Sequence, residues 1–110
     1  DVLPDEQKLV LEVAKVIRLG FLQQNAFHAA DTYVPLKKQY LMAKAIIYLY
    51  DEAKEVIMQG IPIRQIVDTG IFSETIKMKY TIGNEDFSLF EELNNKVDEA
   101  CALVRKNNEI

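Results

Sequence analysis

The segment from Pro35 to about Gln59 constrains the fold most. Its apolar residues recur at helical spacing in two rows, Met42, Ile46, Leu49 and Ala53 in one, Tyr40, Ala43, Ile47 and Tyr50 in the other. A helix with two apolar rows packs against more than one neighbour. Its ends are marked as well. Val34 precedes a proline and is pushed towards an extended conformation. Pro35 suits a first helical turn, where a missing N–H costs nothing. Gly60-Ile61-Pro62 places a glycine at the left-handed position past the helix, with a proline just beyond. This is the expected central helix, and the rest of the chain must supply its neighbours.

Two further long helices are expected. Leu3-Pro4-Asp5-Glu6-Gln7 opens the first, with acids at the positive end of the helix dipole. Val10, Val13, Ala14, Ile17 and Phe21 form its apolar stripe, and Lys8, Glu12 and Lys15 a charged strip. Gly20 is read as tolerated inside this helix, because Phe21-Leu22 continue it. The last helix is expected to be capped by Asn84, with Glu85 and Asp86 in its first turn. Its stripe is Phe90, Leu93, Val97, Cys101 and Val104, and residues 107–110 are expected to fray.

Between them, Ile63, Ile66 and Val67 suit a short helix and Asp68-Thr69-Gly70 a turn. Ile76, Met78, Tyr80 and Ile82 alternate with polar residues as in a half-buried strand, but such a strand would have no partner. A helix to about Lys79 followed by a loop is the reading adopted. Asn25, Asp31 and Thr32 make the stretch before Pro35 a turn region. The fold class expected is all-α, a helical bundle of three long helices plus one or two short ones, forming a single domain over 1–110.

A chain of 110 residues accommodates one core. Its net charge of -4 argues against a nucleic-acid binder, which carries a concentrated basic face. No apolar run approaches the roughly 20 residues that span a bilayer. One cysteine excludes an internal disulfide framework. The chain opens Asp1-Val2-Leu3 without methionine, which reads as a processed chain or a piece of a longer protein.

Few residues offer chemistry. His28 and Asp31 are three apart, yet a pair with no further convergent ligand is a poor metal site; Asp31 organising the turn beside an exposed His28 is the plainer reading. Cys101 lies on an apolar stripe and reads as a packed core thiol. Four glycines, at 20, 60, 70 and 83, form no phosphate loop. Phe27, Ala30 and Tyr33 fall at three-residue intervals in a polar turn. Two aromatics flanking a small residue make a slot for a flat ring, or else cover one end of the bundle.

The residues in sequence carry more. Leu9-Val10-Leu11-Glu12-Val13-Ala14, Ile17-Arg18, Phe21-Leu22-Gln23-Gln24-Asn25-Ala26-Phe27 and Asp31-Thr32-Tyr33 closely resemble the C-terminal region of the catalytic A subunit of archaeal-type and vacuolar-type rotary ATPases. Tyr50-Asp51-Glu52-Ala53 and Met78-Lys79-Tyr80 look like that family too. The likeness is dense from Leu3 to Ala53 and looser beyond.

The resemblance implies a C-terminal helical domain whose parent subunit couples ATP hydrolysis or synthesis to proton or sodium transport. It implies that Phe27, Ala30 and Tyr33 line the adenine side of a nucleotide site. It also implies that Leu3, Pro4, Asp5 and Glu6 form a tip facing the central rotor shaft, similar to the acidic loop of F-type β subunits but thinner in charge, so that steric contact suffices. The implied cofactors are ATP or ADP with magnesium in the full subunit, with none tightly bound to this piece. The implied partners are the nucleotide-binding domain of the same subunit, the non-catalytic B subunits and the rotor. The implied location is cytoplasmic, peripheral on a membrane through the assembled complex. No catalytic and no metal-ligating residue is expected in this chain. The competing reading is a stand-alone helical interaction module with no nucleotide role, which would display an exposed apolar groove for a partner helix.

Overall fold

A computed structural model describes residues 4–22 and 34–109. α1 (Asp5–Val16) continues directly into a π-helical segment (Ile17–Leu22). α2 (Leu36–Met58), the short α3 (Ile63–Asp68), α4 (Ile71–Ile76) and α5 (Met78–Thr81), and α6 (Leu89–Asn107) follow. The described residues hold helices and no strand, with α1, α2 and α6 the three long ones. α4 and α5 make one helical stretch interrupted at Lys77, which resolves the alternation of Ile76, Met78, Tyr80 and Ile82 in favour of helix. Gly60 (φ 93°) and Gly70 (φ 85°) take the left-handed conformation that their turns require.

α2 is the central helix and touches α1, α3 and α6. Its buried row is Lys38, Met42, Ala45, Ile46, Leu49, Ala53 and Val56. α6 faces it with Phe90, Leu93, Val97, Cys101 and Val104, all buried, as its periodicity predicts. Each large apolar side chain removed from water here contributes on the order of 1.5–3 kcal/mol. Burial pushes the Cys101 thiol up to about 11, so it packs as an apolar group.

Four expectations are corrected. On α1 the buried residues are Leu9 and Val16, while Val10 is 53% and Ile17 37% exposed. Its apolar residues cover an arc opposite the Lys8, Glu12 and Lys15 strip that is wider than the buried face, so periodicity alone does not say which of them pack inward. On α2 the second row does not make the packing face: Tyr40 is 61% and Ile47 59% exposed. Asn84 does not cap α6, which begins only at Leu89; Ser88 precedes it, held by its own N–H and hydroxyl donating to Asp86 Oδ1. Asn108 does not fray, since its Nδ2 donates to Gln65 Oε1 (2.6 Å) and to the Val104 carbonyl (2.7 Å).

Two long-range contacts fix the ends of α1 and α2. The π-helical segment, a rare form, brings the Gly20 backbone onto the end of α4. A Cβ at Gly20 would lie 2.8 Å from the Ile76 carbonyl oxygen. At the head of α2, Lys38 is 2% exposed. Its ammonium donates to the carbonyls of Lys79 (2.9 Å) and Ile82 (2.5 Å) and to Asn84 Oδ1 (3.0 Å). Asn84 thus serves a lysine 46 residues away in sequence rather than a neighbouring helix. Burial pushes the Lys38 pKa down and the charge of Lys79 pushes the same way. The three oxygens favour the charged form and oppose both effects.

α2 and α6 are also joined at their edge, where the Tyr48 hydroxyl donates to Asp98 Oδ1. That bond, helped by burial and nearby carboxylates, pushes the phenol from 10.0 up to about 12. The fold therefore favours the protonated phenol. The contribution is complete below about pH 10 and is lost as pH rises through about 12. A titration following tyrosinate absorbance should show one tyrosine ionising near pH 12, returned towards 10 by Asp98→Asn. All tyrosines ionising together would contradict the bond.

Candidate functional site

The expected tip lies at the start of α1. Pro4 stands just outside the helix, and its carbonyl accepts from the N–H groups of Gln7 (2.9 Å) and Lys8 (3.0 Å). Asp5 turns inward. Its Oδ2 accepts from the backbone N–H of Ile63 (3.1 Å), the first residue of α3. That N–H follows Pro62 and has no partner within its own helix, so the carboxylate satisfies a donor that local sequence leaves open. Lys8 Nζ lies 3.9 Å from the other oxygen of Asp5. Glu6 Oε2 lies 3.9 Å from Lys54 Nζ on α2, and that ammonium sits 5.9 Å from the centre of the Tyr50 ring. Pro4, Glu6 and Gln7 are exposed, Asp5 half-buried. What this end presents outward is a proline with one acid and one amide, while Asp5 is committed to the domain itself. Leu3 lies outside the described residues.

Phe27, Ala30 and Tyr33, and with them His28 and Asp31, also lie outside the described residues. The structure places their flanks. The π-helical segment ends at Leu22 with Gly20 against Ile76. On the other side Val34 is half-buried against the core, and its carbonyl accepts from Gln39 Nε2 (2.9 Å). Pro4 and Leu22 thus bound one continuous element, α1 with its π-helical continuation. Its 18 residues, 12 in α1 and 6 in the π segment, span roughly 25 Å at about 1.5 Å per residue.

Between those ends runs an open apolar groove of about 370 Å³. Val10, Val13, Ala14 and Ile17 of α1 form one wall, Ile46, Ile47 and Tyr50 of α2 the other. Val10, Ile17 and Ile47 are the members of this lining whose periodicity marks them for burial but which are exposed, while Ile46 at its floor is buried. Among the described residues no group of three His, Cys, Asp or Glu side chains could hold a metal ion, and no helix is long and apolar enough to cross a membrane.

Sequence reasoning missed Lys38 and Asp5. Lys38 lies four residues before Met42, on the register of the buried row, and a lysine there is itself a signal. Asp5 carries none, because its partner is 58 residues away.

A family model for the C-terminal domain of V and A type ATP synthase matches residues 1–67. The V-type ATP synthase alpha chain 2 of Clostridium tetani is 54% identical over 97 residues, covering 88% of this chain and 16% of that protein. The V-type ATP synthase alpha chain of Halothermothrix orenii is 48% identical over 99 residues, covering 90% and 17%. The A subunit of the A-type ATP synthase of Methanopyrus kandleri is 40% identical over 99 residues, with the same two shares. The chain thus spans about a sixth of the length of these relatives.

An apolar groove open to water favours association. Ile47→Lys should weaken self-association of the isolated domain, read by sedimentation velocity, while its folding stability stays within about 0.5 kcal/mol. Unchanged association would show that the groove does not drive it.

Proposed function

The chain belongs to the family of C-terminal domains of V- and A-type ATP synthases, and from that premise we propose that it serves the catalytic subunit of a rotary enzyme. In that reading it supplies the adenine side of the nucleotide site through Phe27, Ala30 and Tyr33. Leu3, Pro4, Asp5 and Glu6 supply its rotor-facing tip. The parent subunit hydrolyses or makes ATP and couples this to proton or sodium movement, on the cytoplasmic face of a membrane that it does not enter. The likeness along nearly the whole chain to subunits several times longer carries this reading.

Magnesium and the phosphates would be held elsewhere. The described residues offer no metal-ligating cluster, and the four glycines form no phosphate-binding loop. This chain's part is then mechanical and recognitional. Asp5 ties the start of α1 to α3, and Gly20 seats its end on α4. A helix fixed at both ends to its own domain cannot slide, so a push at the tip tilts the bundle as a rigid body, in the manner of a domain closure. The open groove suits coverage by the nucleotide-binding domain of the same subunit, with the non-catalytic subunits and the rotor as further partners.

A stand-alone interaction module would also display such a groove. The relatives' greater length favours the first reading over it.

Two measurements test the proposal. Phe27→Ala in the full-length subunit should weaken ATP binding about tenfold, the order of one stacked-ring contact; an unchanged Kd removes Phe27 from the adenine site. The isolated domain should show no magnesium-dependent ATP hydrolysis above background, and hydrolysis there would overturn the assignment.

A further inference from the structure

The end of α5 and the residues just past it turn three neutral oxygens towards one point. The carbonyls of Lys79 and Ile82 and the Asn84 Oδ1 accept from the Lys38 ammonium at 2.9, 2.5 and 3.0 Å. A lysine ammonium carries three N–H donors, so the acceptors match the donors in number. Lys38 is 2% exposed and reaches Lys79 across 41 residues of sequence.

We propose that the carbonyls of Lys79 and Ile82 and the Asn84 side chain form a cradle for a primary ammonium, that Lys38 is its resident cation, and that this charge latches the end of α5 onto the head of α2.

Apolar packing gives that latch little help. α5 packs chiefly on α4 and the π-helical segment rather than on α2. A cleft of about 90 Å³, bordered in part by Thr81, Ile82, Leu89 and Leu93, opens beside its end. The ammonium is not there for economy either. None of its three acceptors carries an opposite charge, and the nearby charge of Lys79 opposes it. A methionine on the same buried row would fill the space without those costs. It would leave the oxygens unserved, however. Lys79 and Ile82 lie in and just past the last turn of α5, where a helix leaves carbonyls without donors of its own. A buried carbonyl that loses its donor costs free energy in turn. Cation and cradle therefore stabilise each other only as a pair, and loss of either opens both. Any primary ammonium small enough to enter serves the oxygens equally well, which makes the cradle a binding site in its own right once the lysine is cut back.

Hydrogen exchange in the full-length protein, read by mass spectrometry on peptides covering residues 78–88, follows the latch directly. The Thr81 and Ile82 N–H groups donate to the Lys77 and Met78 carbonyls and report on α5. Lys38→Met should speed their exchange about tenfold, while α6 amides between Val97 and Val104 stay within about twofold. Lys38→Ala should do the same, and methylammonium, with the three N–H donors of a lysine, should restore the lost protection. Tetramethylammonium at matched ionic strength has the charge but no N–H, and should restore none. Should the Lys38 variants fail to fold, Asn84→Ala removes one acceptor and should speed the same amides by a smaller factor. Unchanged exchange at Thr81 and Ile82 in the folded variants, no recovery with methylammonium, or equal recovery with both cations would overturn the cradle.

Discussion

The inward row of α2 is the constraint on which the rest of the domain depends. From Met42 to Val56 it is apolar and packs against α1, α3 and α6. At its head the same register carries Lys38, and the row there stops being a matter of oil and shape. A buried ammonium needs oxygens, and the oxygens it finds are at the end of α5 and at Asn84. One helix thus packs the core through dispersion and apolar burial over most of its length, and fixes the position of a distant loop through charge at its first turn.

Much of this architecture was legible from residues. The stripe Phe90, Leu93, Val97, Cys101 and Val104 repeats cleanly on an otherwise polar helix, so it points one way and is buried. Gly60 and Gly70 mark turns whose left-handed backbone only glycine adopts at little cost. α1 was harder for a physical reason. Leu9, Val10, Leu11, Val13, Ala14, Val16 and Ile17 spread over a broad arc opposite its charged strip, and an arc wider than the packing face does not say that Leu9 and Val16 go in while Val10 and Ile17 stay out. Asn84 illustrates a second limit. Its local context is that of a helix cap, but its Oδ1 accepts instead from a lysine at the start of α2. The π-helical turn and the inward rotation of Asp5 are set by partners on α4 and α3, which no window of neighbouring residues contains.

The expected functional ends divide along the same line. The acidic opening at 4–6 is visible in the sequence, yet the structure commits Asp5 to α3 and sets Glu6 beside Lys54, with Pro4, Glu6 and Gln7 exposed. At the other end, the aromatic segment is marked by its residues and by its likeness to a family, and it lies outside the described residues. The two ends share α1, and α1 is pinned at both.

The central claim is that this domain forms one wall of a nucleotide site whose phosphates are held in another part of the same polypeptide. Photolabelling the full-length protein with an azido-adenine analogue of ATP, followed by peptide mapping, tests it most directly. The account predicts label in the tryptic peptide between Arg18 and Lys37, which carries Phe27, Ala30 and Tyr33, and its suppression by excess ATP. Label confined to peptides outside this chain would contradict it.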